Sequence, residues 1–263
     1  MILEELEKTA GRLGDLLIPR ECAVCGKQLL QGEQHLCIYC EADLPLTHFW
    51  DNPSNPMSDK LNALIQRNLT RSLKDGEPPP ERMGRVRAAA LFYYKSEAGY
   101  KRIPQKVKYK GDRPVGRFYG KLLGEFLAGS GNFNDIDTVI PVPLHWSRLW
   151  SRGYNQAEVI ASSIAARLGA EMRTDILFRA RKTSTQTRLH NSEKALNVSG
   201  AFRIKDRYLN EEPPEYGRKR HFLIVDDVFT TGATIAACCT SIQNLFGNGV
   251  SISAATLGFV EHS

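Results

Sequence analysis

The sequence predicts an α/β fold: a parallel or mostly parallel sheet flanked by helices, preceded by a small N-terminal zinc ribbon. Three observations predict it. From about Val86 onward, apolar runs of strand length alternate with segments whose apolar residues recur at helical spacing. Two of those runs end in polar residues where packing alone would favour apolar ones, in "IPVPLHW" and "VDDVFTTGAT". Near the N-terminus, Cys22, Cys25, Cys37 and Cys40 form two Cys-x-x-Cys pairs separated by eleven residues.

The elements follow in order. "MILEELEKTAGRLGDLLIP" carries Leu3, Leu6, Leu13, Leu16 and Leu17 at helical spacing and reads as a docking helix. Its four acids and broken apolar pattern do not suit a secretory signal. With no apolar run near the roughly 18 residues a membrane span needs, membrane insertion is not expected and a cytoplasmic location is. The cysteine pairs come next. In "CAVCGK" a glycine follows the second cysteine and lets backbone amides turn toward a thiolate. Two such knuckles supply four sulfurs for a tetrahedral, closed zinc site, which serves folding rather than chemistry. Cys238 and Cys239 fall within an apolar helical pattern and read as small core residues.

The turn-rich stretches "DNPSNPMSD" and "KDGEPPPER" bracket a short helical pattern, and 51–85 reads as a linker region. The predicted domains are thus 1–50, an N-terminal helix and zinc ribbon; 51–85, the linker; and 86–263, the α/β domain. Within the last, "VRAAALFYY", "DTVIPVP", "ILFRA", "GAFRI", "HFLIVDDV" and "VSISAATLGFV" are strand candidates. "PVGRFYGKLLGEFLAG", "NQAEVIASSIAARLG" and "GATIAACCTSIQNLFG" are helices, the second stopped by Gly169. Ligands of such sheets lie beyond the carboxyl ends of the strands.

The chain has 263 residues, 42% of them hydrophobic and 24% charged, with a net charge of +6. That is the composition of a globular protein, with a modest bias toward anionic partners. The turn "TTGAT" suits a phosphate monoester. Gly232 lets successive amides converge on one anion, the following helix points its positive end there, and Thr230, Thr231 and Thr234 add hydroxyls. Asp226 and Asp227 before it repel each other unless they accept hydrogen bonds from vicinal hydroxyls beside a metal-neutralised ligand.

Four apolar residues, two acids and a Thr-Thr-Gly turn resemble the phosphoribosyl pyrophosphate (PRPP) signature of type I phosphoribosyltransferases. The cysteine ribbon, "KVKYKGDRPVGRFYGKLLG", "IPVPLHWSRLWSRGYNQAE", "RKTSTQTRLHNSEKALNVSGAF" and "VDDVFTTGAT", in that order, resemble the ComF/GntX family over nearly the whole chain. The resemblance implies a type I phosphoribosyltransferase-like domain over 86–263, with PRPP as ligand and Mg²⁺ beside it. It assigns Asp226 and Asp227 to the ribose hydroxyls, and Phe229, Thr230, Thr231, Gly232, Ala233 and Thr234 to the 5′-phosphate. Arg148, Arg152 and Asn155, on the loop after "VIPVP", become pyrophosphate candidates. The basic stretch "RARKTSTQTR" looks like the flexible loop that closes over PRPP, with Lys182, Thr183 and Gln186 its candidates and Lys182 a catalytic one alongside the two acids. Lys194 departs from the arginine common in the family, keeping charge but losing the fork geometry.

The residues leave the acceptor and the extent of turnover open, so two functions stand. One is a phosphoribosyltransferase, or a sensor of the same ligand. The other is a single-stranded DNA handling protein, since ComF relatives are linked to DNA uptake and partner competence proteins are implied. "YKRIPQKVKYK" has five cations, no acids and two tyrosines able to stack on bases, although a basic face packed over the sheet reads equally well.

Overall fold

The computed structural model describes residues 20–72, 84–94, 99–109, 112–180, 201–205 and 220–261. The helix expected before Arg20 and the loop residues Lys182, Thr183 and Gln186 lie outside the described residues.

Five strands form one sheet in the order β1-β7-β6-β2-β3, with every pairing parallel. They are β1 (Arg87–Tyr93), β2 (Thr138–Pro141), β3 (Glu171–Met172), β6 (Arg220–Phe229) and β7 (Val250–Phe259). β4 (Leu177–Arg179) and β5 (Phe202–Ile204) pair antiparallel outside that sheet and bracket residues 181–200. β1 and β7 bury nearly every residue, the pattern of strands covered on both faces. The covering helices are α2 (Pro56–Ser72) with α7 (Ala233–Phe246), and α4 (Arg113–Gly129) with α6 (Gln156–Leu168). The α/β prediction of a mostly parallel sheet flanked by helices holds, and the architecture is consistent with a phosphoribosyltransferase-like fold.

Helix packing follows from small residues. Gly116, Gly120 and Gly124 repeat at every fourth position of α4, and a Cβ on Gly120 would lie 2.8 Å from the Ile160 carbonyl oxygen of α6. Larger side chains there would push the two helices apart.

Within the segment expected as a linker, the short helical pattern is a packed helix. α2 occupies most of 51–72 as a 17-residue helix, and Met57, Leu61, Ile65 and Leu69, one turn apart, are buried in the common core against α7 and β1. Asn55 caps it: the Ser58 N–H donates to Asn55 Oδ1 at 2.9 Å, and the Asn55 N–H donates to Ser58 Oγ at 3.0 Å. The flanking Pro and Gly drew attention to turns and away from this buried stripe.

β6 continues into α7 and on to its neighbour β7, whereas β2 leads through α5 (Trp146–Arg152) and α6 to β3 on its other side. The connections leaving β6 and β2 therefore diverge, which marks the position where open α/β sheets form a crevice between strand carboxyl ends. Both polar strand ends noted in the sequence arrive there.

Candidate functional site

β6 is hydrogen-bonded to β7 as far as Phe229, so the acid pair lies inside the last turn of the strand rather than beyond it. Asp227 is 7% exposed, and its carboxylate lies 2.7 Å from Lys108 Nζ. Lys108 belongs to the short basic helix α3 (Arg102–Tyr109). The Asp227 N–H donates to Asp226 Oδ1 at 2.9 Å, which turns the first carboxylate along the strand. Burial, then the neighbouring Asp227 charge, push the Asp226 carboxyl up to about 7, against the opposing pull of Lys108 and Arg179. The unusual tip of this strand thus stores unfavourable charge, with two cations from distant elements set against it.

Beyond Phe229 the chain turns through Thr230–Gly232 into α7. Gly232 adopts φ 80°, a left-handed conformation, and a Cβ there would collide with the Phe229 ring and lie 3.0 Å from Leu64 Cδ1 of α2. Only glycine fits. The Ala233 N–H donates to Thr231 Oγ1 at 3.4 Å and the Ala236 N–H to Gly232 O at 2.9 Å. No other hydrogen bond from the amides of Thr231, Gly232 or Thr234 is made among the described residues. Thr230 is exposed, while Thr231 and Thr234 are partly so. The Phe229 ring, by contrast, is 1% exposed and stacks on Phe259 at 5.8 Å, so only its backbone faces the turn.

On the other side of the crevice, α5 begins at His145, whose ring nitrogen accepts from the Ser147 N–H at 3.3 Å. Arg148 and Arg152 are both partly buried on this helix, and the Arg152 guanidinium donates to Gln156 Oε1 at 2.9 Å. Asn155 is buried and its side chain is committed: Oδ1 accepts from the Ala157 N–H at 3.1 Å, capping α6, and Nδ2 donates to Val142 O at 3.1 Å. It holds the loop against β2. Arg179, at the end of β4, lies over the Phe202 ring at 5.1 Å. Burial first, then the like charge of Arg148, lower its pKa, while Asp226 pulls the other way.

The sequence placed Lys108 in a basic stretch suited to nucleic acid; its partner Asp227 is not visible from that stretch. Lys60 was overlooked. It lies on α2, donates to Thr230 O at 3.3 Å and sits 6.0 Å from the Phe229 ring centroid. The only available signal was the stripe of buried residues that makes α2 a helix.

The four ribbon cysteines cluster as expected, with all four sulfurs within 4.8 Å of one another. The Cys25 and Cys37 sulfurs are 3.7 Å apart, close to the roughly 3.8 Å edge of a tetrahedron with 2.3 Å Zn–S bonds. Gly26, at φ 76°, makes the knuckle, and the Cys37 N–H donates to Cys22 Sγ at 3.5 Å. Burial pushes the Cys22 thiol up, but amides of Cys25, Cys37 and Val24 outweigh it and hold it near 6. Such a donor set fits zinc, which takes thiolates. The ribbon is fastened to α3, where Arg102 donates to Val24 O at 3.0 Å.

Two surfaces border the crevice. Trp146 and Trp150, on α5, are 72% and 89% exposed. A groove of about 430 Å³ between α4 and α6 is lined by Arg113, Arg117, Leu149 and Tyr154 among others. No helix among the described residues is long and apolar enough to cross a membrane.

No family model matches the chain. Over 113 residues, 43% of this chain and 44% of the relative, it is 36% identical to DNA utilization protein YhgH of Escherichia coli O157:H7 and of Shigella flexneri. It is 35% identical over 134 residues to Competence protein F of Haemophilus influenzae, covering 50% of this chain and 56% of that protein. The chain spans about half the length of the curated relatives it matches. These similarities, with the four-cysteine cluster, bear out the resemblance to the ComF family carried by the motifs.

Proposed function

We propose that this chain, a relative of DNA utilization and competence proteins of the ComF type, binds PRPP in the crevice between β2 and β6 and transfers or senses its phosphoribosyl group. The observation that carries the reading is the β6 tip: two adjacent carboxylates, one with its pKa raised to about 7, run directly into a left-handed glycine turn with amides to spare. Vicinal ribose hydroxyls would donate to Asp226 and Asp227 and replace the contact with Lys108. The amides and hydroxyls of Thr230–Thr234 would take the 5′-phosphate. Arg148 and Arg152 would face the pyrophosphate, with Asn155 holding their loop in place. Lys182, Thr183 and Gln186 would close over the ligand and exclude water from a cation-like ribose centre. Mg²⁺ arriving with PRPP would neutralise the pyrophosphate and polarise it as a leaving group. The four cysteines hold one zinc in this reading, and metal analysis of purified protein should find one per chain.

Calorimetry with PRPP and Mg²⁺, repeated with Asp226→Ala, tests the site. Binding by the wild type and loss in the variant support it; no heat from the wild type removes it. Release of pyrophosphate on adding a nucleobase or amine would separate transfer from sensing.

A second reading, handling of single-stranded DNA, is favoured by Trp146 and Trp150 beside a groove carrying Arg113 and Arg117. Exposed aromatics next to cations suit stacked bases and a phosphate backbone. Anisotropy of a labelled oligonucleotide should then fall steeply with salt, and Trp146→Ala with Trp150→Ala should weaken binding. Binding indifferent to both would remove this reading.

A further inference from the structure

We infer that α2 completes the phosphate subsite, with Lys60 as a phosphate-binding residue that makes the turn selective for a dianionic monoester. The inference rests on the phosphoribosyl reading and assigns it a residue outside the strand-end motifs.

α2 and α7 run side by side from the same end. Lys60 meets Thr230, Leu64 lies against Gly232, and Asn68 donates to Thr240 Oγ1 at 3.5 Å, so rising positions on one helix meet rising positions on the other. The amino end of α7 therefore opens at the turn, beside the second and third turns of α2. The Ser58 N–H is satisfied by Asn55 Oδ1, and Lys60 is the group of α2 that reaches the turn. Asp59, the acid beside it, is engaged with Arg85.

Lys60 is partly buried. Burial lowers its pKa and the carbonyl of Thr230 is its hydrogen-bond acceptor. A phosphate seated on the free amides of the turn would offer Lys60 a full counter-charge in place of a carbonyl dipole. The ammonium needs only to rotate about its flexible stem to exchange one for the other. Because the amino end of α7 and one lysine converge, the subsite would distinguish a phosphate monoester from an uncharged hydroxymethyl group by charge rather than by shape.

The test is titration calorimetry of the full chain with ribose 5-phosphate, and separately with Mg²⁺–pyrophosphate, for the wild type, Lys60→Met and Lys60→Arg. Loss of one charge-assisted contact predicts about tenfold weaker ribose 5-phosphate binding for Lys60→Met, largely restored in Lys60→Arg. Pyrophosphate binding should stay unchanged, since it belongs to the opposite side of the crevice. Unaltered ribose 5-phosphate affinity in Lys60→Met overturns the inference and leaves the phosphoribosyl reading standing. Equal weakening toward both probes also overturns it, by pointing to a structural role for α2. Failure of the wild type to bind ribose 5-phosphate, PRPP and pyrophosphate alike removes the underlying reading instead.

Discussion

The two ends of the parallel sheet both hold buried titratable groups, and they treat them in opposite ways. At the amino end, His221 is 2% exposed, with its Nδ1 3.0 Å from Asp135 Oδ2 and its Nε2 2.9 Å from Ser253 Oγ. Arg87 donates to both oxygens of Asp135 at 2.9 and 3.1 Å, and the His221 N–H donates to Asp137 Oδ2 at 2.9 Å. These groups answer one another across β1, β6, β7 and the loop before β2. At the carboxyl end, Asp226 and Asp227 stand adjacent, and the cations set against them come from α3 and β4. One end is a finished hydrogen-bond network; the other holds two adjacent carboxylates against cations from other elements.

The comparison also disposes of a tempting reading. Ser253, His221 and Asp135 have the contacts of a hydrolytic triad, yet Ser253 is 0% exposed and offers no surface to a substrate. Geometry without access is structure.

The largest expected effect separates the ends. His221→Ala should destabilise the protein by about 2–4 kcal/mol, because it leaves a cavity and strands Ser253 and the Arg87–Asp135 pair. Chemical denaturation measures this, and PRPP affinity of the folded protein should be unchanged. Destabilisation below the resolution of the experiment would mean that the network is not a structural keystone.

The second prediction uses pH, where the two ends differ in sign. His221 has its pKa lowered, by burial above all, so its contribution is present above the unfolded histidine range and is lost as pH falls through it. Asp226 has its pKa raised to about 7, so its contribution is present at acid pH and is lost as pH rises from the unfolded carboxylate range through 7. Asp226→Asn should therefore raise the melting temperature at pH 8, with an advantage that shrinks toward pH 4. A pH-independent difference would show that the acid pair is not strained in the free protein.

Smallest of all, Asp135→Asn should cost at most about 1 kcal/mol, since that carboxylate is 60% exposed and its ion pairs are screened. The acid limb of the stability profile should nevertheless shift, because His221 loses the charge that favours its protonation. An unchanged profile would take Asp135 out of the network.

Much of this was legible in residue patterns. The cysteine spacing predicted the cluster, and alternating apolar runs predicted the sheet. "VDDVFTTGAT" predicted a polar strand end running into a glycine turn. Helix α2 was read only as a short helical pattern within a linker, because the turn-rich stretches on both sides outweighed its four-residue apolar repeat. Asn155 was nominated from the resemblance, as part of the loop after β2; its side chain caps α6 and ties that loop to β2.

By itself, the sequence determined what depends on neighbours along the chain: which segments pair as buried strands, where the thiolates repeat, and where only glycine can make a turn. Tertiary structure alone decided which cations meet which acids. Lys108 reaches Asp227, Lys60 reaches Thr230 and Arg179 comes under the influence of Asp226, each across elements far apart in sequence. The physical reason is that periodicity and backbone conformation are local, whereas Coulomb energy depends on distances that exist only after helices and sheet have packed.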